Sequence, residues 1–235
     1  MAKEASKKEI RKNLSMDSFF WKNTRLWAVI LIGLALLFSY FRLIHFTEGG
    51  DVTWFSMFFV YLLGYFFGGF KGMLFAFFFS LLKFLGDMGV SYITPLESIV
   101  DTDHMTAEVL DYIFSYTLVA AGGFIAHPFG VRSDDEYWKK YPVRKKREFR
   151  LLLIGYLVGM LLRFISSVVN FVCFYSRPEK DFLGNLGEAI LYCLGYVGVE
   201  ALLTVLFLLI PVVHKSVLYC RYVATNKYPF NRNNI

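Results

Sequence analysis

The chain has 235 residues, of which 56% are apolar, 19% aromatic and 19% charged, and its formal net charge is +6. Its mean hydropathy is +0.47. A soluble domain carries about 25% charged residues, and one of this size cannot bury so much apolar surface. The composition also excludes disordered and collagen-like chains, so we expect an all-α, polytopic membrane protein.

Six segments are apolar and long enough to span a membrane as helices, which takes roughly 20 residues each. In chain order they are residues 26–46, 52–70, 72–90, 106–127, 151–175 and 187–213. The sequence therefore predicts a six-helix transmembrane bundle over residues 25–213. A basic N-terminal tail, residues 1–24, and a C-terminal tail, residues 214–235, flank this domain.

The positions of the basic residues predict the orientation. Of the 25 Lys and Arg residues, 20 lie in residues 1–25, at Lys71, in the linker 128–150 or after Val213. Six spans place these four regions on one side, which the positive-inside rule identifies as the cytoplasm. We therefore expect a multi-pass protein of the cell membrane with both termini in the cytoplasm. The basic linker is typical of contact with lipid headgroups rather than with nucleic acid.

The connection between the third and fourth spans is acidic. Residues 87–111 contain six Asp and Glu residues and no Lys or Arg. Within them, residues 91–105 are too polar to cross the membrane and too many for a tight turn. We expect this segment to form a gate loop with a short interfacial helix, which closes over a ligand at the outer face.

Several ionisable residues lie inside the apolar spans, where a charge costs about 2.5–3.5 kcal/mol to insert and so indicates pairing or function. Lys83 and Asp87 are four residues apart and can pair on one helix face. Arg163 is expected to face the bundle interior and to pair with a carboxylate such as Glu200.

Two further carboxylates, Asp111 and Glu188, come at the outer ends of the fourth and sixth spans. They are either ordinary helix-end charges near headgroups or anions that meet a cationic solute. Aromatic residues at the same level form either an interfacial belt or a cage that stacks a flat or cationic ligand. These residues are Trp54, Tyr92, Tyr112, Tyr175, Tyr192 and Tyr196. The neighbouring carboxylates favour the cage.

The first span contains three small residues, Ala28, Gly33 and Ala35. Small residues allow another helix to approach closely. They indicate either packing within the bundle or a flat docking face for a partner subunit.

Motifs of catalysis and metal binding are missing from the sequence. It has no P-loop and no HExxH, and its four His residues lack the spacing of metal ligands. We therefore expect no ATP hydrolysis by this chain alone, no cofactor, no metal and no catalytic site.

Four segments, in three regions of the chain, resemble the membrane-embedded substrate-binding subunits (S components) of energy-coupling factor (ECF) vitamin transporters, most closely the thiamine-specific branch. They are WFSMFFVYLLGYFFGGFKGMLFAFFFSLLKFLGD (54–87), LDYIFSYTLVAAGGFIA (110–126), LLRFISSVVNFVCFYS (161–176) and ILYCLGYVGVEALLT (190–204). The resemblance implies a six-helix bundle with a vitamin pocket near its outer face. It also implies docking, through small residues of the first helix, onto a transmembrane coupling protein and two ATPase subunits.

The resemblance also implies a set of pocket residues, some of which differ in type from those of the family. In this chain the corresponding positions are Trp54, Asp111, Tyr112, Arg163, Ser167, Tyr175, Glu188, Cys193, Tyr196 and Glu200. In the site that we predict, Asp111 and Glu188 offset the positive charge of the ligand. Trp54, Tyr112 and Tyr175 stack on its rings, and the polar groups that read ring substituents are Ser167, Asn170 and Tyr192.

We therefore predict an S component that captures thiamine or a thiamine precursor. Two alternatives stay open. The ligand could be a neutral vitamin, such as a pyridoxine-like compound, for which Asp111 would be a hydrogen-bond acceptor. The protein could also have no role in transport, as an intramembrane enzyme or a structural bundle.

Overall fold

The computed structural model describes residues 24–45, 51–93, 105–126 and 141–225, and these residues are almost entirely helical. A two-stranded antiparallel hairpin follows the first helix, with strands β1 (Arg42–His45) and β2 (Asp51–Thr53). The helices of the described residues are α1 (Thr24–Ser39), α2 (Ser56–Phe67), α3 (Gly69–Ile93), α4 (Met105–Ala126), α5 (Tyr141–Phe174), α6 (Phe182–Leu209) and α7 (Pro211–Thr225).

The helix lengths confirm a helical membrane protein but not the number of crossings. By length and composition, α3, α4, α5 and α6 can each cross a membrane, whereas α1 and α2 are shorter apolar helices. The 12 residues of α2 cover about 18 Å, less than the roughly 30 Å of a hydrocarbon core. Six crossings, and the side on which each terminus lies, remain predictions.

The hairpin takes the place of the end of the first predicted span, 26–46, and of the start of the second, 52–70. Both predicted spans are therefore longer than the helices that the structure has there. Arg42 pairs with Thr53, and Ile44 pairs with Val52, with an irregularity between the two pairs. Arg42, which falls inside the first predicted span, thus lies in a strand and not in a helix. We call this side of the bundle, where α1, α3 and α5 end and α2, α4 and α6 begin, the hairpin end.

Glycines bring the helices close together at the opposite end. A Cβ atom on Gly64 of α2 would overlap the backbone of Ala120 in α4, and one on Gly122 would overlap the backbone of Gly155 in α5. The single residue between α2 and α3 is Gly68, whose φ of 90° is a conformation that other residues rarely adopt. Small residues thus set the helix spacing at this end.

Helix α7 packs against the opposite end of the bundle, although its residues after Val213 fall in the predicted C-terminal tail. Val217 and Leu218 are buried. Nη1 of Arg221 donates to Oε2 of Glu148 in α5 at 2.9 Å, and its guanidinium lies 4.1 Å from the ring centroid of Tyr65. The first half of that tail is therefore a packed part of the domain.

Other predicted segments lie partly outside the described residues. Of the gate loop 91–105, the backbone of 91–93 completes α3, and Met105 begins α4. Of the linker 128–150, residues 141–150 form the start of α5. Residues 1–23, 46–50, 94–104, 127–140 and 226–235 lie outside the described residues.

The three small residues of α1 do not share one face. Ala28 and Ala35 are buried within the chain, and Oγ of Ser56 in α2 donates to the carbonyl of Ala35 at 2.9 Å. Gly33 is exposed, and a Cβ atom there would meet open space. Packing within the bundle accounts for the two alanines, which leaves Gly33 on the outer surface.

Candidate ligand-binding site

A polar cavity of about 70 Å³ lies at the hairpin end, and α1 to α6 and β2 all contribute to its walls. A space of this size holds several water molecules. Seven of the nine residues predicted to bind the ligand line it: Asp111, Tyr112, Ser167, Asn170, Tyr175, Tyr192 and Tyr196. Residues from separate helices, distant in sequence, therefore converge on one space.

The other two predicted ligand residues, Trp54 and Glu188, lie outside the lining. Trp54 follows the last residue of β2, is 45% exposed, and packs edge-on against Phe55 at 5.8 Å. The Glu188 carboxylate pairs with Nζ of Lys180 at 2.6 Å and Nη2 of Arg177 at 3.5 Å, so nearby loop cations neutralise it. Their contact with a ligand stays a prediction.

Asp111 places a negative charge in the cavity. Its Oδ1 accepts hydrogen bonds from Oγ of Ser115 at 2.6 Å and from Oγ of Ser167 at 3.0 Å. Among the described residues, no Lys or Arg forms an ion pair with this carboxylate. Hydrogen bonds from two hydroxyl groups therefore hold the carboxylate in place, and these neutral donors do not cancel its charge.

The predicted pairing of Arg163 with Glu200 is confirmed. Nη1 of Arg163 donates to Oε2 of Glu200 at 3.0 Å, and both side chains are buried. Oε1 of Glu200 accepts from Oγ1 of Thr53 at 2.6 Å and from the backbone N–H of Met57 at 3.4 Å. Glu200 therefore lies behind the cavity wall and joins the hairpin and α2 to α5.

The predicted pairing of Lys83 with Asp87 is also confirmed, and both residues line the cavity. Nζ of Lys83 donates to Asp87 at 2.6 Å, and the hydroxyl of Tyr112 donates to Oδ2 of Asp87 at 2.6 Å. Lys83 also lies 4.5 Å from the ring centroid of Tyr40. The two charged residues are 4% and 0% exposed.

Aromatic rings form two walls of the cavity. Tyr112 and Tyr116 of α4 meet at 5.4 Å between ring centroids, and Tyr192 and Tyr196 of α6 meet at 5.5 Å. The guanidinium of Arg163 lies between the walls, 5.3 Å from the Tyr116 centroid and 5.8 Å from that of Tyr196. Such ring faces, beside carboxylates, suit a flat cationic ligand.

Two π-helical turns carry part of this site. Residues Asp111–Ser115 form one in α4, and residues Leu194–Gly198 form the other in α6. Such turns are rare and often occur at functional sites. The second turn lies between Tyr192 and Glu200, which are eight residues apart and would share one face of a regular helix, and it interrupts that repeat.

The predicted site omits three residues that line the cavity, although helix spacing in the sequence points to each of them. Glu108 comes three positions before Asp111, and its Oε1 accepts from the hydroxyl of Tyr175 at 3.4 Å. Tyr116 comes four positions after Tyr112, and Phe171 comes four after Ser167. Spacings of three and four place residues on one helix face, so extending the predicted faces by one turn would have found all three.

Comparisons with known proteins agree with the resemblance that the sequence stretches indicate. Neither the curated proteins nor the solved structures give a match. The family model described as "Thiamine transporter protein (Thia_YuaJ)" matches residues 26–220, which run from α1 into α7 and include every residue of the cavity. The chain therefore belongs to the thiamine transporter protein family.

Proposed function

We propose that this protein is the substrate-binding S component of an ECF-type importer and that its cavity captures thiamine. One observation carries the choice of ligand. In a chain of the thiamine transporter protein family, the Asp111 carboxylate faces a cavity walled by tyrosine rings, and no described cation pairs with it. A carboxylate beside ring faces suits the charged thiazolium ring of thiamine.

The other charges around the cavity support a cationic ligand. Lys83 and Arg163 are already matched by Asp87 and Glu200. The lining itself contains three carboxylates, on Asp87, Glu108 and Asp111, and two cationic groups, on Lys83 and Arg163, so acidic groups outnumber basic ones there. Since field strength rises in a partly buried site, this excess favours a cation over a neutral or anionic solute.

The remaining lining residues have roles that follow from their chemistry. Tyr112, Tyr175 and Tyr192 offer ring faces for stacking, while Ser167 and Asn170 offer hydrogen-bonding groups. Asn170 is held by a hydrogen bond from its Nδ2 to the carbonyl of Ala107 at 3.1 Å. In this proposal the loop between α3 and α4 closes over the bound vitamin at the outer face.

The identity of the ligand is tested on protein purified in detergent without added vitamin. We expect mass spectrometry of the extracted small molecules to find thiamine. Titration calorimetry should then show that thiamine binds the emptied protein and that pyridoxine does not compete. Binding of pyridoxine, with no binding of thiamine, would instead identify a neutral-vitamin transporter.

The transport step needs partners that this chain does not contain. We propose a transmembrane coupling protein and two ATPase subunits, which dock against the face of α1 that carries Gly33. Co-expression should yield a complex that takes up thiamine into vesicles only when ATP is inside them. If the chain takes up thiamine without partners, or if no ATPase co-purifies with it, this part of the proposal is incorrect.

A further inference from the structure

We infer that Lys83 and Asp87 form a second ligand subsite in the cavity, which binds a neutral group able both to donate and to accept a hydrogen bond. This inference rests on the proposed function, because it concerns the same cavity and ligand. It assigns to α3 a direct part in ligand recognition, in addition to the Asp111 carboxylate.

The first argument is placement. Lys83 and Asp87 are adjacent on one face of α3, and both line the cavity although both are almost completely buried. The hydroxyl of Tyr112 and the ring of Tyr40 hold them from two sides. The pair is therefore a fixed polar surface of the cavity.

The second argument is charge. Ammonium and carboxylate groups that pair carry no net charge, so the pair does not select for an ionic ligand group. The pair does present hydrogen-bond donors beside acceptors. An ammonium has three donors, and a carboxylate has acceptor sites for about four hydrogen bonds. A hydroxyl group, or a ring nitrogen beside an amino group, can bond to both partners at once.

A second buried ion pair in the same chain provides the contrast. Arg221 and Glu148 pair at 2.9 Å and are as deeply buried, but they lie at the opposite end of the bundle and outside the cavity lining. The two pairs therefore differ in access to the cavity and not in depth of burial. We infer a ligand role only for the pair in the cavity.

Thiamine has two groups of the required chemistry. One is the hydroxyl of its hydroxyethyl side chain, and the other is the edge of its aminopyrimidine ring. The inference covers either group, and analogues that lack one or the other distinguish them.

The test uses the double variant Lys83→Met/Asp87→Leu, which removes both charges and leaves neither unpaired. Calorimetry measures the Kd of three ligands: thiamine, thiamine without the hydroxyl, and thiamine without the pyrimidine amino group. We expect the unaltered protein to prefer thiamine to one analogue by at least about tenfold, since each tenfold step is about 1.4 kcal/mol. In the variant, that preference should disappear because thiamine weakens while this analogue does not.

The matched control is Glu148→Leu/Arg221→Met, which removes the ion pair at the opposite end and should keep the preference. Equal weakening of all three ligands in the cavity variant, or an unchanged preference, would overturn the inference. If that variant does not fold, Lys83→Gln/Asp87→Asn keeps a donor beside an acceptor and must keep the preference. Absence of thiamine binding to the unaltered protein would instead refute the proposed function.

Discussion

The Arg163 guanidinium on α5 and the Glu200 carboxylate on α6 meet at 3.0 Å, and Glu200 at the same time accepts a hydrogen bond from Thr53 of the hairpin. Arg163 lines the cavity. The position of the hairpin and the shape of the cavity wall therefore depend on one buried ion pair.

Breaking this pair should destabilise the protein. We expect Arg163→Met to lower the free energy of unfolding by about 3–5 kcal/mol, because it leaves the buried Glu200 charge without its cationic partner. The double variant Arg163→Met/Glu200→Leu should recover most of the loss, since it removes both charges. Unfolding in detergent measures the free energy of unfolding of both variants. Equal stability of the two would contradict the prediction, because it would mean that an unpaired Glu200 charge costs nothing at this position.

Removing the charge of Asp111 should weaken thiamine binding. We expect Asp111→Asn to raise the Kd at least about tenfold, which corresponds to about 1.4 kcal/mol. Glu179→Gln is the control, because Glu179 is an exposed carboxylate outside the cavity lining, and it should change the Kd less than about twofold. An unchanged Kd for Asp111→Asn in calorimetric titration would remove Asp111 from the site.

The close approach of α2 and α4 should not tolerate a methyl group. We expect Gly64→Ala to destabilise the protein by about 1–3 kcal/mol, because the new Cβ overlaps the backbone of Ala120 and overpacking has this cost. Gly33→Ala is the matched control, since open space surrounds that position. It should leave the unfolding temperature unchanged or raise it slightly. A similar effect of both substitutions would show that the glycine contact does not set the helix spacing.

The connection between α5 and α6 should depend on Asn185. This buried side chain bonds to the backbone N–H and carbonyl of Arg177, both at 3.0 Å, and to the carbonyl of Lys180 at 3.3 Å. We expect Asn185→Ala to speed trypsin cleavage after Lys180 several-fold, because the segment loses its internal hydrogen bonds.

Sealed, right-side-out vesicles also test the orientation, since the positive-inside rule predicts that trypsin added outside reaches this connection. The control for Asn185→Ala is Ser216→Ala, an exposed substitution in α7. It should leave the rate of trypsin cleavage after Lys180 unchanged. Cleavage that occurs only after the vesicles are opened would reverse the predicted topology.

The sequence allowed prediction of features that depend on regular helices. The Lys83–Asp87 pair follows from a spacing of four residues, and the Arg163–Glu200 pair follows from the cost of an unpaired charge in an apolar span. The same reasoning brought seven residues to one cavity. For the two ion pairs the prediction depended on helix periodicity and on the need to compensate buried charge. For the cavity it depended also on the aromatic residues at the outer level and on the resemblance to the S components.

The features that the sequence did not reveal are departures from regular helices. Leu43 and Ile44 in β1 are as apolar as the helix residues before them, so hydropathy alone extended the first span through the hairpin. Glu188 lies at the predicted level, but its distance from Lys180 and Arg177 depends on the fold of the connection. Nothing in the residue types marked the two π turns.

The π turns make the cavity sensitive to chain length as well as to side-chain identity. A π turn holds one residue more than an α turn, so deleting one residue from Leu194–Gly198 would restore regular geometry. Each residue of an α-helix advances by about 100°, so such a deletion would rotate Glu200 away from Arg163 or displace Tyr192 and Tyr196 from the cavity. Relatives whose sixth helix is one residue shorter at this point should therefore differ in ligand preference, even where every aligned side chain is the same.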